Sequence, residues 1–297
     1  MDGKDRLAGV VAAISAGVIW GFLGPVIRFL GDGGIDAVQM TCLRYLIVTV
    51  MVGILISFRS KGTFKIDFRV FILFAVMGVV GTFLNSACYF GSMQLIPLSL
   101  STILQYLAPF IVVTLSVPLF RERLTVNKAV AVVVAFVGCV LCTGILSSDV
   151  SFDPVGIAMG ALSGLFFATY TLGSKHAANL GHTPETVLFF TSLICFAVAA
   201  PFADLPTAFS ALWSSVETTV VLLALGVLLT FLPFWLFNYS LDRLDVGKTS
   251  ILTFVEPMTA TAVGFAIYSE TLDATASIGI AMILVALIVL NRRSSEA

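Results

Sequence analysis

The chain has 297 residues, 59% of them hydrophobic and only 11% charged, with a mean hydropathy of +1.06. A soluble domain carries roughly a quarter charged residues, so this composition excludes a water-soluble enzyme or scaffold and makes lipid the main solvent. The net charge of −1 gives no electrostatic case for a nucleic-acid partner.

A spanning helix needs about 20 apolar residues. Ten such segments follow one another, at 7–29, 37–58, 69–93, 99–119, 126–146, 154–176, 184–202, 217–241, 247–268 and 273–291. Turn residues mark the short connections: Gly31-Asp32-Gly33-Gly34, Ser147-Ser148-Asp149 and Gly181-His182-Thr183-Pro184. The first apolar run is too long for a cleaved signal and reads as a retained helix. The connection at 203–216, with Asp204, Pro206 and Trp213, suits a short interfacial segment.

Span 1 carries two stripes at helical spacing. Ala13, Gly17 and Gly21 are small residues that let helix backbones approach. Trp20, Gly24 and Arg28 run from an aromatic ring near mid-membrane to a cation at one mouth. Span 2 places Arg44 about two turns from its start, where a lipid-facing charge costs ~2.5 kcal/mol or more. It should face the interior, water or an acidic partner. Spans 3 and 4 hold Asn85, Tyr89, Gln105 and Tyr106, whose polar groups should point inward. Span 5 holds Cys139 and Cys142 at redox or metal spacing, but no second pair or histidine accompanies them, so two packed small residues are expected and no metal.

Span 6 repeats both stripes, as Gly160, Gly164, Ala168 and as Phe167, Thr171, Lys175, with Tyr170 between them. Lys175 is a second candidate mouth residue, and snorkelling to headgroups is its bland alternative. Span 8 holds Trp235, Asn238 and Tyr239. In span 9, Glu256 is an acidic residue near mid-span, followed by Pro257, which removes a backbone donor and loosens the turn before it. A carboxyl taken out of water is a candidate proton carrier or amine ligand. The bland alternative is a hydrogen-bonded side chain at a kink. Glu122 and Glu270 stand just past spans 4 and 9, where a carboxylate suits the positive end of the helix that follows. Both read as structural caps, and Pro109 and Pro257 as structural kinks.

Enzyme readings find little support. His176 and His182 are the two histidines, and both sit at the sixth connection. The chain has no H-E-x-x-H, no phosphate-binding Gly-Lys-Ser/Thr loop and no paired intramembrane aspartates. No cofactor is expected.

The basic residues fix an orientation. Of 16 Lys and Arg, all but Arg28 and Arg44 fall at the two ends or at the even connections. The odd connections carry Asp32, Asp36, Asp149, Asp153, Asp204, Glu270 and Asp273. Both termini are therefore expected in the cytoplasm.

The chain also repeats itself. Residues 7–146 are answered by 154–293 at a nearly constant offset: Gly9 by Gly156, Gly17 by Gly164, Thr82-Phe83-Leu84 by Thr230-Phe231-Leu232, Pro109 by Pro257 and Glu122 by Glu270. Five spans per copy is odd, so the second copy runs upside down, an architecture suited to alternating access. Trp20-Gly21, the run Leu98–Leu104, Pro109 and Glu122-Arg123-Leu124-Thr125 in copy one resemble the EamA repeat of the drug/metabolite transporter superfamily. So do Val246–Leu252, Glu256-Pro257 and Glu270-Thr271-Leu272 in copy two. The resemblance implies an all-α integral membrane carrier of a bacterial or archaeal cytoplasmic membrane. It would have ten transmembrane helices in two inverted five-helix repeats, around a central cavity lined mainly by spans 1, 3, 4, 6, 8 and 9. Such carriers are linked to export of amino acids, related metabolites or amphipathic drugs.

The expected activity is secondary transport of a small organic solute, an amino acid or related metabolite, outward and with a proton as a candidate coupling ion. The alternative is a facilitated or exchange carrier for sugars, nucleotides or amphipathic amines. The expected binding residues are Trp20, Arg44, Asn85, Tyr89, Gln105, Tyr106, Tyr170, Trp235, Asn238 and Glu256, with Arg28 and Lys175 at the mouths. A solid centre with no cavity would instead favour a scaffold.

Overall fold

A computed structural model describes residues 3–59, 66–143, 153–213, 215–268 and 274–291. Glu270, Lys61, Lys65, Arg292 and Arg293, and the turn at Ser147–Asp149, lie outside the described residues. Among the described residues, nine helices are long and apolar enough to cross a membrane. They are Gly3–Asp32, Ala37–Phe58, Phe68–Leu95, Ser99–Phe120, Pro154–Asn179, Pro184–Phe202, Val216–Arg243, Val246–Ile267 and Ala274–Asn291. Val126–Cys142 is a shorter apolar helix. These correspond in order to the ten expected segments and are called spans 1 to 10 below. The connection after span 7 carries the short helix Leu205–Leu212, with Trp213 exposed beyond it. Large apolar side chains such as Val50, Ile54, Phe71, Val133, Val155 and Ile278 point outward, as a lipid-facing surface requires.

Local chemistry explains many of the helix starts. Asp36 accepts from the Val38 and Gln39 amides at 2.8 Å each, while Gln39 accepts from the Asp36 amide at 3.1 Å, which makes a reciprocal cap for span 2. Asp153, Thr183 and Ser215 cap spans 6, 7 and 8 with side-chain oxygens.

Three spans are interrupted near their middle. Span 1 breaks between Trp20 and Leu23, span 4 between Gln105 and Ala108, and span 9 between Leu252 and Val255. Pro109 and Pro257 lie in the first turn after their breaks, where a missing amide costs little. Spans 3 and 8 instead widen into π-helical turns at Met77–Leu84 and Val227–Phe231. In each, a threonine hydroxyl donates to the carbonyl five residues back: Thr82 to Met77 at 3.0 Å, Thr230 to Leu225 at 2.7 Å. The two threonines are equivalent in the repeat.

The copies interlock. Span 1 packs on spans 8 and 9, and span 6 packs on spans 3 and 4, so each copy's first helix is seated in the other copy. The small-residue stripes are the seats. A Cβ at Gly17 would lie 2.5 Å from Val255 and 3.1 Å from the Thr253 carbonyl; one at Gly164 would lie 2.9 and 3.0 Å from the Leu104 and Gln105 carbonyls. Span 2 packs on span 7, and span 5 on span 10. At the latter crossing, a Cβ at Gly138 would meet the Gly279 carbonyl at 2.8 Å, and one at Gly279 the Gly138 carbonyl at 2.6 Å. Small residues therefore set interhelical distance by backbone contact.

Gly164→Val forces a side chain against immovable carbonyls. Overpacking of this kind costs about 1–3 kcal/mol, and a lower thermal midpoint of the detergent-purified protein is expected. Gly24→Val, where a Cβ has no atom within 4 Å, leaves the midpoint unchanged.

Candidate functional site

The interlocked helices enclose a cavity of about 520 Å³. Its lining comes from the C-terminal halves of spans 1, 3 and 9 and the N-terminal halves of spans 2 and 4. Successive spans run in opposite directions, so all these halves belong to one face of the molecule, the face away from the start of the chain. The floor is aromatic. Trp20 packs edge-on against Phe167 and Phe234 at centroid distances of 6.1 and 5.2 Å. Gly24, one turn above Trp20, leaves space open beside it.

Arg44 lies on the wall made by span 2 and is only 9% exposed. One terminal nitrogen donates to the Ser86 hydroxyl at 2.8 Å. The guanidinium lies 4.8 Å from the Tyr45 ring centre and 5.8 Å from that of Phe90. Its Nε is buried with no hydrogen-bond partner, and among the described residues no carboxylate forms an ion pair with it. Buried charges are normally paired, so this cation is under-satisfied. Arg28 is exposed on the same cavity lining.

The facing walls carry the other expected groups. Glu256 sits in the first turn after the break in span 9, and the Tyr106 hydroxyl interacts with its carboxyl. That hydroxyl also lies 3.5 Å from the Thr253 carbonyl. The Tyr89 and Thr102 hydroxyls are 3.1 Å apart. Asn85 donates to the Ser163 carbonyl at 2.8 Å and so ties span 3 to span 6. Gln105, Pro109 and Pro257 complete the lining among the expected residues.

Four expected residues lie elsewhere. Asn238 donates to the Tyr170 hydroxyl at 2.8 Å and to the Phe234 carbonyl at 2.7 Å; both side chains are buried and join span 6 to span 8. Trp235 donates to Glu185 at 2.8 Å and stacks on Tyr239, which joins span 8 to span 7. Lys175 is no mouth residue. Its ammonium donates to the carbonyls of Leu241 and Leu244 at 2.7 and 2.8 Å, satisfying backbone that the end of the Leu232–Arg243 helix leaves free. In each case a polar group found a helix-bridging partner before it could reach the cavity.

Glu122 also differs from expectation. The helix after it is capped by Thr125, which accepts from the Lys128 amide at 3.3 Å. Glu122 instead reaches the other copy, accepting from the amides of Val246 at 2.6 Å and Gly247 at 3.4 Å.

Span 2 is not among the main lining spans that the resemblance implied; it supplies the expected Arg44 together with Tyr45, while spans 6 and 8 supply Phe167 and Phe234. Ser86, Phe90 and Met93 were also missed. They share the helical face of Asn85 and Tyr89, so extending that stripe by one position would have found them.

A family model described as the EamA-like transporter family matches residues 7–144 and again residues 154–292. The chain belongs to this family. An uncharacterized transporter of Archaeoglobus fulgidus is 29% identical over 281 residues, covering 95% of each chain. The threonine/homoserine exporter RhtA of Escherichia coli K12 is 32% identical over 185 residues, covering 62% of this chain and 59% of that one. A crystal structure sharing 20% identity superposes with a TM-score of 0.81 over 96% of this chain and 97% of its own, which shows a common fold. This EamA-like protein is thus a multi-pass membrane transporter, and its cavity is where a solute can be held.

Removing a helix-bridging group should act differently from removing a cavity group. Asn238→Ala is expected to lower stability by about 1–3 kcal/mol and leave solute affinity unchanged. Gln105→Ala should weaken solute binding several-fold with an unchanged thermal midpoint. Paired thermal and binding titrations check both.

Proposed function

We propose that the protein is a secondary transporter that exports a small organic solute, an amino acid or related metabolite, by alternating access. The observation that carries this reading is the cavity itself. It holds a buried, under-satisfied guanidinium on one wall and a carboxyl on another. A solute with a carboxylate and an amine complements both groups, and the aromatic floor suits its apolar part. The name of the partial relative, a threonine/homoserine exporter, supports the same class of solute.

In this reading Arg44 and Ser86 receive the carboxylate, and Arg28 attracts it at the mouth. Trp20, Tyr89 and Tyr106 form walls, Asn85 and Gln105 supply polar contacts, and Glu256 takes an amine or a proton. Pro109 and Pro257 keep the breaks in spans 4 and 9 pliable. All ten helices cross the bilayer, both termini are cytoplasmic, and the cavity opens outward. The membrane is the cytoplasmic membrane of a bacterium or archaeon.

Flux in proteoliposomes across an amino-acid panel, with and without a pH gradient, tests the reading. Arg44→Gln is expected to weaken transport of carboxylate solutes by roughly tenfold or more, the scale of a lost charged hydrogen bond. Glu256→Gln is expected to abolish any response to the pH gradient. An unchanged response would remove Glu256 from the coupling. Tags at residues 1 and 297 that are labelled from different faces of the membrane would overturn the topology.

A further inference from the structure

At the ends of spans 4 and 9 that lie away from the cavity, polar bonds cross the seam between the copies. Glu122 and Lys128 belong to the first copy; Asp245, Val246 and Gly247 belong to the second. Beyond its two amide bonds, the Glu122 carboxylate lies 3.1 Å from the Lys128 ammonium, which lies 3.1 Å from the Asp245 carboxylate as well. The Glu122 and Lys128 side chains are 8% and 9% exposed.

We propose that Glu122 is a positioning residue for transport: it latches this seam shut, and release of its bonds to Val246 and Gly247 admits the solute from that side. The proposal rests on the alternating-access reading above. Three observations favour a latch over a plain cap. First, one cap crosses the seam. Asp245 stands where it would cap its own helix but makes no such bond. It pairs with Lys128 instead, and Glu122 serves the Val246 and Gly247 amides from across the seam. Thr125 meanwhile caps the helix that Glu122 would ordinarily serve. Each copy therefore depends on the other at a surface that has to part.

Second, the end of span 4 turns directly into the seam: Arg121 is its left-handed C-cap and Glu122 follows it. Arg121 has a φ of 56°, in the left-handed region that a non-glycine residue enters at a cost. Gly247 accepts the close approach: a Cβ there would lie 3.2 Å from Val113 and 3.6 Å from the Glu122 carboxylate. Third, the bonds are all-or-none. A half-opened seam would strand a buried carboxylate without its donors, so they hold while the seam is dry and let go when water enters. Lys175, by contrast, bonds within the second copy, and its contacts can survive the movement.

The test reports on access rather than on any one solute. In full-length protein whose five native cysteines are replaced, single reporters are placed at Gly24→Cys, in the open cavity, and at Val113→Cys, on the seam. A membrane-impermeant maleimide reads both in detergent. Glu122→Gln is expected to raise labelling at position 113 on the order of tenfold, the loss of one charged hydrogen bond, and to lower it at position 24. Asp245→Asn should move both rates in the same directions but less, because Asp245 is largely exposed. It also serves if Glu122→Gln fails to fold. Unchanged rates in a folded, monodisperse variant overturn the latch. So do rates that rise together at both positions, since these report general loosening. Reciprocal shifts without flux of any amino acid would sink the proposed solute class and keep the latch; flux without reciprocal shifts would do the opposite.

Discussion

Inside a bilayer a polar group has no water to fall back on. Each break in a helix and each buried charge must find its partner within the protein, and this requirement shapes the molecule at every level. The π-helical turns in spans 3 and 8 are tolerable because Thr82 and Thr230 return a hydroxyl hydrogen to a carbonyl of the widened turn. The breaks in spans 4 and 9 are tolerable because Pro109 and Pro257 ask for no amide partner where one is missing. Arg44 stands apart from this pattern. It keeps a buried Nε without a partner beside an open cavity, the place where a ligand or water can complete it.

The same requirement accounts for the exchange of helices between copies. A small-residue stripe gains little from lipid, which packs against it no better than against any apolar surface. It gains much from a backbone that can come within van der Waals contact. Span 1 finds that backbone beside the break in span 9, and span 6 finds it beside the break in span 4. The two seats are equivalent by sequence, yet their surroundings differ. Span 1 is broken above its seat and leaves the cavity open, whereas span 6 runs unbroken from Pro154 to Asn179. The repeat thus supplies two similar sets of parts, and the structure arranges them differently.

Much of this was legible in the chain. Hydropathy located the nine long apolar helices and the shorter one at Val126–Cys142. The prolines Pro109 and Pro257 fall in the first turn after the breaks in spans 4 and 9, while nothing in the reading of span 1 pointed to its break. Arg44 was singled out because a charge at that depth has few acceptable surroundings. Sequence spacing failed where the partner lies far along the chain. Nothing around Asn238 or Trp235 distinguishes a side chain aimed at a cavity from one aimed at Tyr170 or Glu185; helical spacing says which residues share a face, not which helix that face meets. Glu122 shows the same limit. Its position after span 4 pointed to the helix that follows, but its bonds go to amides of the other copy.

That error is informative about the mechanism. If each copy capped its own helices, the two would be self-sufficient bundles meeting through apolar surfaces alone, and such surfaces slide by degrees. With a cap that crosses the seam, parting the copies leaves specific amides and a specific carboxylate unsatisfied together, and joining them satisfies both together. A seam of this kind favours being wholly made or wholly parted over intermediate positions. Two discrete positions are what a carrier needs if it is never to be open to both faces at once. In this protein, polar bonds from Glu122 and Lys128 join the two copies at the seam.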